Sequence, residues 1–142
     1  MAGFVAGEGC FFVDVQNSNS HKTGKQAKLK FVLTQHLRDE VLLKTLKNYW
    51  GCGRIVKINN VSVVRFVVTK FSDIDEKIIP FFKKYPIHGI KLLDFMSFCE
   101  VGELIKTKEH LTESGLEKII KIKSKMNKTR IYYALENSPS KP

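Results

Sequence analysis

The chain has 142 residues, is 43% hydrophobic, and carries 24 Lys and Arg against 14 Asp and Glu, for a formal charge of +10. This length suits a single domain, and ten phenylalanines can fill a packed core, which excludes an intrinsically disordered chain. No apolar run approaches the roughly 18 residues that a membrane span needs, and no signal-peptide pattern opens the chain.

The positive charge is concentrated in the middle of the chain. Residues 21–70 carry eleven basic and two acidic residues, whereas residues 1–20 carry only Glu8 and Asp14 as charged residues. This pattern favours a surface for a polyanion beside a site that needs carboxylate. A basic surface that only keeps the protein in solution is the alternative.

The cysteines Cys10, Cys52 and Cys99 are an odd number, lie far apart and form no Cys-x-x-Cys pair. This arrangement argues against a disulfide framework and against structural zinc. We expect reduced thiols that are mostly buried.

Residues 1–9 have the pattern of the last turns of a short helix that ends at Gly9. Gly3 and Gly7 lie four residues apart and therefore share a helix face, where the missing side chains let another backbone approach closely.

A first hairpin is predicted after this helix. Residues 11–16 alternate apolar and polar side chains, which is the pattern of a half-buried strand. A polar turn covers residues 17–24, and residues 28–35 alternate again, with Lys28 and Lys30 on the solvent side. The solvent face of this hairpin is therefore basic.

Residues 38–49 have helical spacing, and a second hairpin follows from residues 54–58 and 62–70. In the first strand of this hairpin the core side is ambiguous, because Ile55 and Lys57 share one parity whereas Arg54 and Val56 share the other. The apolar stripe of the helix, expected to be buried, consists of Val41, Leu42, Thr45, Leu46 and Tyr49.

Three helices complete the predicted order. Ser72-Asp73 is expected as the N-cap of a helix at about residues 73–83, with Pro80 as a kink or break. Residues 90–105 have apolar spacing over four turns, and residues 112–125 form a final basic helix. The predicted order is α-β-β-α-β-β-α plus two helices.

The segment Met1-Ala-Gly-Phe-Val-Ala-Gly-Glu-Gly9 resembles the nine-residue motif of LAGLIDADG homing endonucleases, whose unit has the order αββαββα. Residues 66–74, 89–95 and 110–116 resemble the C-terminal half of single-chain, two-motif enzymes from fungal mitochondrial introns. The resemblance implies an α+β fold with a four-stranded antiparallel DNA-binding sheet and C-terminal helices. One endonuclease domain is expected over residues 1–136, with a flexible tail at 137–142.

The resemblance also implies an active site. Glu8 stands at the position of the family's essential acid and would bind Mg²⁺ with the backbone carbonyl of Gly7, with Ca²⁺ or Mn²⁺ as possible substitutes. Gly3 and Gly7 would form the interface with a second motif helix. Gln35 resembles a polar residue that orders water, and Lys91 resembles a basic residue near the cleaved phosphate.

The sheet of this family lies in the DNA major groove, where side chains contact base edges. The side chains expected to bind DNA are Asp14, Gln16, Asn17, Ser18, Asn19, Lys28, Lys30, Arg54, Arg65 and Thr69. Their types suit the task, since Arg and Lys pair with guanine, Gln and Asn with adenine, and Asp with cytosine.

The sequence therefore predicts a metal-dependent endonuclease that cleaves double-stranded DNA at a specific site. The chain is expected to be one half of a single-chain enzyme or an engineered cut of one, acting as a homodimer or with the missing N-terminal half. Its compartment is expected to be mitochondrial by resemblance, and a membrane partner is not expected. The alternatives are a maturase of the same fold that binds intron RNA, and a module that only binds DNA.

Overall fold

The computed structural model describes residues 9–20, 23–58, 60–87 and 89–137. The predicted motif helix, with Gly3, Gly7 and Glu8, lies outside these ranges apart from Gly9, which is the first residue of a strand. The described residues form two compact units, one from residues 9–14 and 28–87 and one from residues 15–27 and 89–137.

Four strands form one sheet in the order β1-β2-β4-β3, so β1 and β3 are its edges. The two predicted hairpins and the α+β class are confirmed. The strands are β1 (Gly9–Asn17), β2 (Lys25–His36), β3 (Arg54–Ile58) and β4 (Val63–Val68).

The register of the sheet resolves which side of each strand faces the core. In the antiparallel β2–β4 pair, Phe31 stands opposite Val68 and Leu33 opposite Phe66, and all four side chains are buried. In the β3–β4 pair, Ile55 stands opposite Phe66. Because side chains alternate between faces, the core side of β3 is therefore the side of Ile55.

Helix α1 (Glu40–Trp50) follows a short 3-10 turn and buries Leu43, Leu46 and Trp50. The predicted apolar stripe was wrong except for Leu46: Val41 is 71% exposed and Tyr49 is 59% exposed. The cause is Trp50, whose ring stacks on Phe66 at 5.8 Å and meets Phe31 edge-on at 6.0 Å. Burying this largest side chain turns the face of residues 43, 46 and 50 toward the core.

The remaining stripe residues lie beside that buried face or outside it. Leu42 is 47% exposed, and Thr45 is exposed and donates its hydroxyl to the Val41 carbonyl at 3.0 Å.

The helical segment after the sheet has three parts: α2 (Phe71–Asp73), a π-helical turn (Ile74–Ile78) and α3 (Ile79–Lys84). The predicted N-cap at Ser72-Asp73 was wrong, because the Lys70 carbonyl accepts the N–H groups of residues 73 and 74 and starts the helix earlier. Pro80 does not break the segment either. It lies in the first turn of α3, directly after the π-helical turn, whose wider hydrogen-bonding pattern the Ile79 N–H continues by donating to the Ile74 carbonyl.

Two long helices belong to the second unit. Helix α4 (Ile90–Lys106) agrees with the predicted range, and α5 (Glu113–Asn137) is longer than predicted. The predicted start of α5 is confirmed, since the Thr112 hydroxyl accepts the Gly115 N–H at 3.0 Å. The helix continues past Lys125 because the following residues contain neither Gly nor Pro.

The three cysteines are free thiols of intermediate exposure, so the expectation that they are mostly buried was wrong. Cys52 lies in the loop between α1 and β3, which explains its partial exposure. Among the described helices, none is both long and apolar enough to cross a bilayer.

Candidate nucleic-acid interface

The side of the sheet that faces away from Phe31, Leu33 and Phe66 is referred to below as the outer face. The register places its side chains in three rows across β2, β4 and β3. The rows are Val32–Val67–Arg54, Thr34–Arg65–Val56 and His36–Val63–Ile58. Directly opposed residues in such rows have side chains about 4.5–5.5 Å apart at Cβ, so each row is a continuous strip of surface.

Arg54 and Arg65 are the cations of these rows, and both side chains are exposed. Among the described residues neither arginine makes an ion pair, so their guanidinium groups are available to a ligand. Val32 and Val67 beside them are buried, at 7% and 6% exposure, and pack the middle of the face. The outer face therefore presents charge at the positions of the two arginines, whereas the valines beside them are buried.

The outer face extends along β2 toward its start. Lys28 is exposed and Lys30 is half-buried, and both alternate with the buried Leu29. By the same alternation they share the side of Thr34. On β1, Asp14 is half-buried and points away from the side of the buried Val13. The structure thus brings all four predicted DNA-binding cations, residues 28, 30, 54 and 65, to one side of the sheet.

Four further predicted residues lie at the β1–β2 turn, in the second unit. Gln16, Asn17 and Asn19 are exposed, and Ser18 is half-buried. The Ser18 N–H donates to the Gly24 carbonyl at 2.9 Å, and the Ser18 and Ser20 hydroxyl oxygens lie 3.0 Å apart. These contacts link Ser18 to Gly24 and to Ser20 within the turn.

The remaining predicted residues take separate positions. Thr69 is exposed just after the end of β4. Gln35 is half-buried opposite Val64, on the core side of the sheet and not on the outer face. Lys91 is half-buried in the first turn of α4, in the second unit. Gly7 and Glu8 lie outside the described residues.

A basic group at the edge of the sheet was not predicted. Lys44 and Lys47 of α1 line one cavity with Arg54 and Lys57 of β3, and we call these four residues the edge cluster. The cavity has a volume of about 550 Å³ and is also lined by Glu40, Asn48 and Ile55. Spacing of three residues on a helix places Lys44 and Lys47 side by side, and this was the available sequence signal.

The Cys52 thiol of the first unit has a displaced pKa. Burial raises the pKa of its thiol, the Asp73 carboxylate raises it further, and the Lys77 ammonium lowers it in part. Within the ranges that the structure describes, no three His, Cys, Asp or Glu side chains come together as metal ligands.

A family model described as LAGLIDADG endonuclease matches residues 1–102. "Probable intron-encoded endonuclease 2" of Neurospora crassa is 44% identical over 126 residues, which are 89% of this chain and 26% of that protein. The I-SmaMI LAGLIDADG homing endonuclease bound to cleaved DNA has 45% identity and a TM-score of 0.87, covering 91% of this chain and 43% of that one.

A second structure, I-SmaMI bound to uncleaved DNA in the presence of calcium ions, has 44% identity and a TM-score of 0.86, covering 89% of this chain and 43% of that one. The chain therefore spans 26% of this curated relative and 43% of these solved chains.

Proposed function

The chain belongs to the LAGLIDADG endonuclease family, and we propose that it is one unit of a site-specific endonuclease that cleaves double-stranded DNA. The observation that carries this proposal is the outer face, where the exposed Arg54 and Arg65 lie on a sheet shared with DNA-bound structures of 45% and 44% identity. A β-surface fits the major groove, which is about 12 Å wide.

The outer face would bind base edges in that groove. Arginine donates two parallel hydrogen bonds to guanine O6 and N7, and lysine donates to the same acceptors. Asp14 would accept from cytosine N4, and the amides of Gln16 and Asn17 suit adenine. Ser18, Asn19 and Thr69 would add hydroxyl and amide contacts, and Lys28 and Lys30 would contribute charge along β2.

For the chemical step we propose Mg²⁺ held by the Glu8 carboxylate and the Gly7 carbonyl, with Ca²⁺ or Mn²⁺ as substitutes. These are hard oxygen donors, the class that Mg²⁺ prefers. When bound, the metal supplies Lewis-acid polarisation of the scissile phosphate. Gln35 would orient a water molecule through its amide, and Lys91 would stabilise negative charge that develops on the phosphate.

A second unit is part of this proposal, because the chain spans 43% of the solved structures that it resembles. Gly3 and Gly7 would let the motif helix pack against that of another unit, either a second copy or a separate N-terminal half. The similarity to an intron-encoded endonuclease of Neurospora crassa supports an intron-encoded origin, for which we propose a mitochondrial location.

A cleavage assay tests the proposed function. The protein is incubated with Mg²⁺ and a supercoiled plasmid library of candidate sites, and cleaved sites are sequenced. We expect the wild type to cut both strands at a defined site, and Glu8→Gln to lose cleavage while it keeps its affinity for duplex DNA. Glu76→Gln is the matched control, since Glu76 is an exposed carboxylate on the π-helical turn.

Two results would overturn the proposal. Equal cleavage by Glu8→Gln and wild type would remove Glu8 from the chemistry. Binding of intron RNA without cleavage of any duplex would favour a maturase instead.

A further inference from the structure

We propose that the lysines of the edge cluster, Lys44, Lys47 and Lys57, bind phosphates of the DNA strand that borders the groove occupied by the outer face. The proposal rests on the proposed function, because it takes duplex DNA as the ligand. These phosphate contacts would orient the protein on the duplex without depending on the base sequence. The residues that make them lie beside the base-contacting surface.

The position of the edge cluster supports this assignment. β3 is an edge strand of the sheet, so the surface beyond it is where a strand of the duplex backbone would pass. Arg54 belongs to the outer face, whereas Lys57 has the parity of Ile55 and lies on the α1 side of β3. The edge cluster therefore continues the positive surface around the edge of the sheet onto α1.

The charge of the cavity favours an anion. Four cations and one carboxylate line it, so its formal charge is +3 among the described residues. The Glu40 carboxylate lies 3.5 Å from the Lys44 ammonium and 3.6 Å from the Lys57 ammonium. The side chain of Glu40 is 20% exposed, whereas those of Lys44 and Lys57 are 62% and 64% exposed.

This arrangement holds two lysines at the rim of the cavity while leaving them accessible. Ammonium groups bind phosphate as point charges, with no requirement for a fixed hydrogen-bond plane. The partly buried carboxylate positions Lys44 and Lys57 and also competes with a phosphate for them. Its removal should therefore strengthen the binding of DNA.

The test is the salt dependence of binding to a duplex of random sequence, measured by fluorescence anisotropy between about 50 and 200 mM salt without divalent metal. Each phosphate contact adds about 0.9 to the slope of log K against log salt. We expect Lys44→Ala/Lys47→Ala to reduce this slope by about 1–2 and the affinity by about tenfold at 150 mM salt.

The matched control is Lys83→Ala/Lys84→Ala, which removes the same charge from exposed lysines of α3 outside this cavity. We expect its slope to stay near that of the wild type. Glu40→Gln should raise the affinity about threefold, a gain that misfolding would not produce.

The outcomes separate the two proposals. If the wild type binds with a steep slope and the edge-cluster variant loses no more than the control, the edge cluster does not bind phosphate. If the wild type itself shows a flat salt profile, both this inference and the proposed function fail.

Discussion

Arg54 and Arg65 are diagonal neighbours across the β3–β4 ladder. Arg54 stands opposite Val67, two residues along β4 from Arg65. Diagonal neighbours of this kind are about 7–8 Å apart, which is roughly twice the 3.4 Å rise of one base pair. The two arginine side chains thus leave the main chain at positions about two base-pair rises apart.

From this spacing we predict that Arg65→Ala and Arg54→Ala each relax base preference at one position, and that the two positions lie about two base pairs apart. Each variant should cost about 1–3 kcal/mol at its preferred base and little at other positions. Binding selection from a randomised library, compared with that of the wild type, measures both effects.

Arg38→Ala is the control, because Arg38 is exposed in the 3-10 turn and not on a strand. A uniform loss of affinity across all bases would instead make Arg65 a contact to phosphate.

Gly53 is predicted to be essential for stability. It has a φ of +88°, and a Cβ there would lie 2.6 Å from Cε1 of Phe66 and 3.1 Å from the Val67 carbonyl oxygen. Gly53→Ala should reduce the free energy of unfolding by about 2–4 kcal/mol, because strain of the backbone adds to displacement of a buried ring. Denaturant unfolding measures the change.

Gly24→Ala separates the two causes, since Gly24 has a φ of +76° and no atom of the described residues lies within 4 Å of its Cβ position. We expect it to cost about 1 kcal/mol, from the backbone alone. Equal losses at both glycines would contradict the role assigned to Phe66.

The Cys52 thiol is predicted to react slowly with alkylating agents near neutral pH. Burial, with a further contribution from Asp73, raises its pKa, so little thiolate is present there. Asp73→Asn should shift the pH profile of alkylation to lower pH, and Lys77→Met should shift it to higher pH. Peptide-resolved mass spectrometry gives the rates, and shifts of the opposite sign would contradict the electrostatic account.

The motif glycines give a prediction about assembly. If Gly3 and Gly7 pack against the same helix of a second copy, Gly7→Leu should separate the helices and abolish both dimer formation and cleavage. A homodimer should also prefer a palindromic or nearly palindromic site. Sedimentation with and without such a duplex tests this, and a strict monomer that still cuts both strands would show the interface to be wrong.

Alternation in the sequence was sufficient to predict the faces of β2 and β4. Leu33 and Phe66 are buried on one side, and Arg65 is exposed on the other, as the pattern indicates. β3 could not be resolved in this way, because Arg54 and Lys57 differ in parity and each has an apolar residue on its own side. Only the pairing of Ile55 with Phe66 decides its orientation.

The sequence spacing places Lys44 beside Lys47, but the position of Lys57 near them could not be predicted, for a related reason. Lys57 meets Glu40 only because the register of β3 brings its core-side residues to α1. The sequence also does not show which side of α1 is buried, since apolar residues occur on more than one side of this helix. The fit of Trp50 between Phe31 and Phe66 decides which side is buried.

The alternation along β2 and β4 has a consequence for how such a protein can evolve. Leu33 and Phe66 maintain the register from the buried side, whereas Thr34 and Arg65 occupy the same strands on the other side. Under the proposed function, mutations at the second pair can therefore accumulate under selection for a new DNA target while the first pair keeps the chain folded. The DNA site that is recognised can then change through intermediates that all remain folded.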